Sequence, residues 1–277
     1  MKWFRCSLLC WLLPWQSLWA EPLQLVDTLG SLQPSSAPPP VEAQVLLRIL
    51  QQYPSPYSLI EISRNRAREW TKTAGNACIP WLRKTPERER DFLFTVPYML
   101  ESAMMLVSLP QSGWQTQLEK LKDSEGKVSL AQLLQLQRPP LIGIELNRSY
   151  GGKLDALLLQ HQANAAIYTR STAGESVGSM LPMLHKGFVD MMLEYPRIAA
   201  RSQTELRYWP VAEAEPYNAV HFACSRTPQG EKIVALLNQS IRQQAGTAEY
   251  QQLTLQSFAA ADRAWVLRDW QKMLAQP

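Results

Sequence analysis

Arg88 stands in the stretch KTPERERDFLFTVPY, residues 84–98, where charged residues and a proline run directly into an apolar, aromatic segment. A guanidinium is a planar fork that can hold a carboxylate through two parallel N–H groups, and the pair strengthens when water is excluded. Thr85, three residues earlier, offers a hydroxyl beside it, and the apolar run offers a dry wall. The same residues admit a plainer reading, in which Arg88 and Arg90 are solvated turn charges paired with Glu87 and Glu89.

Two further groups could do chemistry. In RSYGGK, Ser149, Tyr150 and Gly151 precede an expected helix, where free N–H groups and the helix dipole favour an anionic or polar ligand group. Plain N-capping accounts for the same residues. In GESVG, residues 174–178, the spacing matches the nucleophile elbow of α/β-hydrolases, with Ser176 as nucleophile and Asp190 and His221 following in the order such enzymes use. A five-residue loop, RSTAG, separates the expected strand from that elbow, too long for a strained turn, and no glycine-rich oxyanion segment precedes it. The favoured reading is therefore a loop in which Ser176 could touch a ligand, and not an enzyme. His161, His185 and His221 are scattered without ligand spacing, so neither a metal nor another cofactor is expected.

The elements that must position these residues alternate. Apolar residues Val41, Val45, Leu46, Ile49 and Leu50 recur at helical spacing after a proline-rich loop over 30–40. YSLIEIS then reads as a strand and RNRAREWTKTAG as a helix. ACIPWL and FLFTVPY are short extended pieces, and AMMLVSL is a strand. SLAQLLQLQ opens with a capping box, Ser129 with Gln132. PLIGIEL, AAIYT and FVDMMLEY read as strands, with GKLDALLLQHQ as a helix between the first two. ESVGSMLPMLHKG reads as a helix with Pro182 in its middle. AVHFACS leads into a long helix, with Thr227 as N-cap and Pro228 at its first position. Such alternation predicts an α/β fold with mostly parallel sheets, and the length favours two lobes over one. Trp70 and Trp81 read as core residues, as do the methionine pairs Met104–Met105 and Met191–Met192.

The 277 residues are 46% hydrophobic, enough for one large core or two smaller ones. The 28 basic and 24 acidic residues form no block of one sign, which excludes nucleic acid as a partner. The N-terminus, MKWFRCSLLCWLLPWQSLWAEP, has basic residues, a short apolar run and small residues up to Ala20. That is the layout of a secretory signal peptide, and it predicts a periplasmic protein. Cleavage after Ala20 would leave Cys78 and Cys224, which in an exported chain suggest one disulfide, or else two separately buried thiols.

In order along the chain, four landmarks resemble those of the periplasmic solute-binding proteins of the amino-acid-binding type, family 3. Thr85–x–x–Arg88 followed by Phe94, Thr95, Pro97 and Tyr98 is similar to the family's T-x-x-R…F-S/T-x-P-Y motif. IGIELNRSYGGKLDALL, KGFVDMMLEYP and GEKIVALLNQSIRQQAGTAEYQQL are similar to its later segments. The resemblance implies a type II, two-lobed fold with a ligand cleft. Lobe one would span 21–107 and 219–277, and lobe two 108–218, with passages near 106–110 and 215–220. It implies a monomer that captures a small polar or carboxylate-bearing ligand by hinge closure. The protein would then serve an ABC permease, or dock on a membrane receptor as a sensor. Arg88 takes the family's carboxylate-gripping role. Cys78 and Cys224 both fall in lobe one, where a bridge would join its two halves. One position departs from the pattern. The family's aspartate for the ligand ammonium, counted from Asp190, becomes Tyr195, with Glu194 before it. An aromatic there suits a ring, sugar or peptide-like ligand as well as an amino acid.

Overall fold

The computed structural model describes residues 22–28, 32, 39–162, 165–171, 180–199 and 204–276. The N-terminal segment, Ser176 and most of the expected GESVG loop lie outside these residues.

The first lobe begins with β1 (Leu23–Asp27), α1 (Val41–Gln52), β2 (Tyr57–Glu61), α2 (Arg64–Thr73), β3 (Ala77–Arg83), β4 (Phe92–Phe94) and β5 (Met99–Ser102). The second contains β6 (Met105–Ser108), α3 (Gln115–Lys120), α4 (Leu130–Leu134), β7 (Ile142–Glu145), α5 (Gly152–Gln160) and β8 (Ile167–Arg170). It continues through α6 (Leu181–His185), β9 (Met191–Glu194), α7 (Pro196–Ala199) and β10 (Arg207–Pro210). The chain then returns to the first lobe with β11 (Tyr217–Ser225), α8 (Pro228–Ala245), α9 (Ala248–Leu255) and α10 (Arg263–Leu274).

Each lobe is built on one sheet. The first runs β2-β1-β3-β11-β4, with β5 also on β11, and the second β10-β6-β9-β7-β8. Pairings β1–β2, β1–β3, β7–β8 and β7–β9 are parallel, as helix-linked strands should be. The expectation of mostly parallel sheets fails at the strands that follow each passage. β11 runs antiparallel to β3, β4 and β5, and β6 antiparallel to β9. A strand that enters from the other lobe starts at the shared cleft edge, opposite in direction to the helix-linked strands beside it. The first passage lies between Ser102 and Met105, a few residues ahead of the expected 106–110. The run AMMLVSL hid it, because Met104 already packs in the core of the second lobe.

Both sheets are covered on two faces. In the first lobe, Val45, Leu46, Ile49 and Leu50 of α1 join Leu237 and Ile241 of α8 and Trp270 of α10 on one face. Ala67 of α2 packs with Val26, Ile79 and Phe92 on the other. In the second, Leu133, Leu154 and Leu158 cover one face, and Leu184 with Ala199 the other. Burial of such side chains contributes about 1.5–3 kcal/mol each before conformational entropy is subtracted. Thr227 caps α8 as expected, its hydroxyl accepting from Gly230 N–H at 3.0 Å. Ser129 caps α4 at 3.3 Å, but the other half of that cap comes from Glu213, whose carboxylate accepts from Leu130 and Ala131 N–H. Pro182 sits in the first turn of α6 instead of its middle, where its missing N–H costs nothing. Trp70 is 44% exposed, because Ala67 and Thr71 supply the buried face of α2. Cys78 and Cys224 form a disulfide between directly opposed residues of β3 and β11.

Candidate functional site

The charged turn over 84–90 lies at the edge of the first lobe that faces the second. Beneath it the apolar run is structural: Phe92 and Tyr98 are buried, and the Tyr98 hydroxyl donates to Pro80 C=O. The turn charges divide into two sets. Lys84 pairs with Glu89 at the surface. Arg88 instead turns inward and donates to Arg83 C=O at 2.9 Å and to Asn147 C=O, in the other lobe, at 3.3 Å. Arg68 of α2 donates to the same Asn147 carbonyl. Asn147 holds a left-handed backbone at φ 61°, which presents that carbonyl towards the first lobe. Burial, and then the neighbouring Arg68, pull the Arg88 guanidinium down to about 10. Burial and Arg64 likewise lower Arg68. Among the described residues neither has a carboxylate within ion-pair distance.

Other arginines tie the lobes together. Arg64 at the start of α2 reaches Glu145 at the end of β7, 2.6 Å away. Arg83 at the end of β3 pairs with Glu215 on the return passage. Arg197 of α7 reaches back to Glu42 and Glu101 of the first lobe. Between these contacts lies a cavity of about 100 Å³. Arg64, Arg68, Arg83, Arg88, Arg148 and Arg197 line it, with Glu101 the one carboxylate-bearing residue in its wall among the described residues. Among the described residues, four buried polar atoms on its lining residues have no hydrogen-bond partner: Trp81 Nε1, Arg83 Nη1, Asn218 Oδ1 and Arg197 Nη1, the last lying in ion-pair contact with Glu42. A wider groove of about 1080 Å³ continues outward past Thr85, Arg88 and Tyr150.

The residues before α5 are engaged within the protein. The Ser149 hydroxyl donates to Asp155 at 2.5 Å, and Tyr150 N–H to the same carboxylate at 2.7 Å. Gly152 N–H donates to Glu215. The helix N-terminus read from sequence as facing a ligand thus faces Asp155 and Glu215, two carboxylates of the chain itself. Gly151 has φ 118°, and a Cβ there would stand 3.3 Å from Arg83 Nη2, so the turn needs glycine. Thr85 accepts from Arg88 N–H through its hydroxyl at 3.3 Å, a local turn bond.

Arg148 is the residue that sequence reasoning missed. Its guanidinium lies on Glu194 in bidentate fashion, at 2.8 and 2.5 Å, and reaches Glu145 at 3.5 Å. The rings of Tyr150 and Tyr195 flank it, with centroids 5.2 and 5.5 Å away. Burial opposes its charge, but Glu194 and Glu145 overcome that and hold it well above the usual arginine range. Tyr150 and Tyr195 are pushed up by burial and stay neutral. Tyr195 therefore stacks on a side chain of its own protein, with Glu194 buried beside it.

No known family profile matches the sequence, and no curated protein does. Solved structures do match. An arginine-specific periplasmic binding protein of Salmonella typhimurium is 13% identical, with 87% of this chain and all of that one covered, at a TM-score of 0.61. An amino-acid ABC transporter substrate-binding protein of Streptococcus pneumoniae, bound to L-arginine, is 14% identical over 85% of this chain and 93% of that one, at 0.62. A putative L-cystine ABC transporter protein of Listeria monocytogenes is 10% identical over 87% and 96%, at 0.62. The fold is that of the periplasmic binding proteins. Identity this low shows the fold alone, so the site has to be argued from its own residues.

In that fold the carboxyl ends of the parallel strands meet the cleft, the position where open α/β sheets place ligands. β3, β7 and β9 end there and deliver Arg83, Glu145 and Glu194. The hydrolase constellation does not assemble among the described residues. Asp190 accepts from Leu141 N–H in the second sheet, and His221 sits buried in the first against Thr95 C=O.

Proposed function

We propose that the protein is an exported solute-binding protein. It captures a small carboxylate-bearing or similarly polar anionic ligand between its lobes by hinge closure and delivers it to an ABC importer. The observation that carries this reading is the set of buried polar atoms without hydrogen-bond partners on residues that line one interlobe cavity: Trp81 Nε1, Arg83 Nη1, Arg197 Nη1 and Asn218 Oδ1. Leaving such an atom unpaired costs about 1–3 kcal/mol each. Three donors and an acceptor on the residues around one space are what a small polar molecule would satisfy. Arg68 and Arg88, which have no ion-pair partner among the described residues, give the ligand its sign. Arg88, reached first through the resemblance of Thr85–x–x–Arg88 to the family's motif, is the ligand-gripping residue we favour, because among the described residues no carboxylate lies within ion-pair distance of it.

The two inter-sheet passages are the natural hinges, since each is a short segment between rigid sheets. The importer partner rests on the fold's solved relatives, some of which are ABC transporter substrate-binding proteins. Export rests on the N-terminal sequence. The test is isothermal titration of the mature protein with small carboxylates and amino acids, repeated on Arg88→Ala. Binding in the wild type that is lost in the variant supports the reading. A folded wild type that binds neither class at millimolar concentration refutes it.

A further inference from the structure

Resting on that reading, we infer that Arg148 determines the ligand class: it occupies the carboxylates of the cleft from within, so the site takes small organic acids that carry no ammonium group. An ammonium is recognised by an anionic acceptor, and among the described residues the carboxylate that lines this cavity, Glu101, and those at the ends of β7 and β9 and on the return passage already hold a guanidinium of the chain. Glu194 holds Arg148 through both oxygens. Glu145 is shared between Arg64 and Arg148. Glu101 and Glu42 share Arg197, and Glu215 holds Arg83. Glu145 Oε1 has no hydrogen bond, but the charge of its carboxylate is already matched by two cations. A ligand ammonium would have to displace a buried, bidentate, ring-stacked arginine, whose advantage is that it needs no binding entropy.

The uncompensated groups are cations. Arg68 and Arg88 donate only to backbone carbonyls, and each carries a neighbouring arginine that disfavours its charge, Arg64 beside Arg68 and Arg68 beside Arg88. An anionic ligand group placed against them would replace carbonyl acceptors with a full charge and relieve that repulsion. The rest of the ligand would meet Trp81 Nε1 and Arg83 Nη1 as donors and Asn218 Oδ1 as acceptor. That set suits a hydroxyl, an oxo group or a second carboxylate.

The test pairs acids that differ only by the amino group and titrates each into the wild-type mature protein: succinate against aspartate, 2-oxoglutarate against glutamate, lactate and pyruvate against alanine, with phosphate and sulfate as inorganic anions. The expected result is at least one organic acid binding ten-fold or more tightly than its amino partner. A supporting arm uses Arg148→Ala, which frees Glu194 while Glu145 keeps Arg64; there the ratio should shift at least ten-fold towards the amino acid. Because the wild-type panel needs no variant, a misfolded variant does not remove the test. Amino acids binding the wild type as tightly as their partners overturn the inference while the solute-binding reading stands. Binding of phosphate or sulfate only overturns the organic-acid class. A folded wild type that binds nothing in the panel overturns both.

Discussion

Arg148 and Glu194 meet 46 residues apart in sequence, guanidinium on carboxylate at 2.8 and 2.5 Å, with a tyrosine ring on either side. Removing one partner of such a buried pair leaves an uncompensated charge, which costs about 3–5 kcal/mol, while removing both costs much less. Arg148→Ala should therefore lose stability in that range. Arg148→Met/Glu194→Gln should recover most of it, because Glu145 keeps Arg64. Urea midpoints of the two variants against wild type check this. Equal losses in both would mean that packing, and not charge pairing, holds the site.

Arg88→Ala should behave differently. The side chain is half-buried and makes two backbone bonds, so its loss should cost less than about 1.5 kcal/mol of stability. Ligand affinity should fall much further, by roughly 10- to 100-fold, as expected for a charge-assisted bond made in a closed cleft. Arg88→Lys should restore little, because an ammonium cannot reproduce the planar fork. Titration calorimetry alongside thermal melting separates the two effects. A large stability loss with unchanged affinity would assign Arg88 to the structure alone.

The contrast between these two arginines shows what the sequence could reveal. Helix–strand alternation was legible because each element is short and bounded by prolines, glycines or caps. Arg88 drew notice because the motif that resembles the family's is local, four residues from Thr85 to Arg88, and its ligand role stays a proposal. Arg148 was not, since RSYGG reads as an ordinary turn and its meaning depends on a distant carboxylate. Only the parallel pairing of β7 and β9, Ile142 opposite Met191, brings Glu145 and Glu194 to the same sheet edge. Trp81 was read as core, and it packs against the core of the first lobe, but that reading did not reveal that the residue also lines the cavity with an unpartnered indole nitrogen. The helix N-terminus before α5 was legible as a place for negative charge. That Asp155 and Glu215 already fill it required the return passage to be in place.

The disulfide predicts how the two halves of the first lobe depend on each other. Cys78 and Cys224 are fully buried and 146 residues apart, with the whole second lobe between them. Closing so long a loop stabilises the fold by about 2–5 kcal/mol. A Cys78→Ala/Cys224→Ala variant should melt roughly 5–15 °C lower than the oxidised wild type. In the folded wild type both sulfurs should resist mild reductant and alkylation, and react only on unfolding. Mass measurement after alkylation checks this, and two free thiols in the exported, folded protein would contradict it.

His221 sets a pH dependence of stability. Its ring is buried among Arg83, Lys84 and Thr95 C=O, and burial pulls it down to about 4. In the unfolded chain it would titrate near 6.5. Above that pH both states are neutral and the residue contributes no slope. As pH falls through 6.5, the unfolded chain binds a proton that the folded protein refuses, so stability declines until about pH 4, where the folded form protonates as well. Between pH 7 and pH 5, above most of the carboxylate titration, the loss should be about 2 kcal/mol. Urea unfolding at those two pH values should show this loss in the wild type and not in His221→Gln, which keeps a donor for Thr95 but cannot titrate. An unchanged slope in the variant would place the proton uptake elsewhere, and His221 would then be a packed residue without consequence for acid stability.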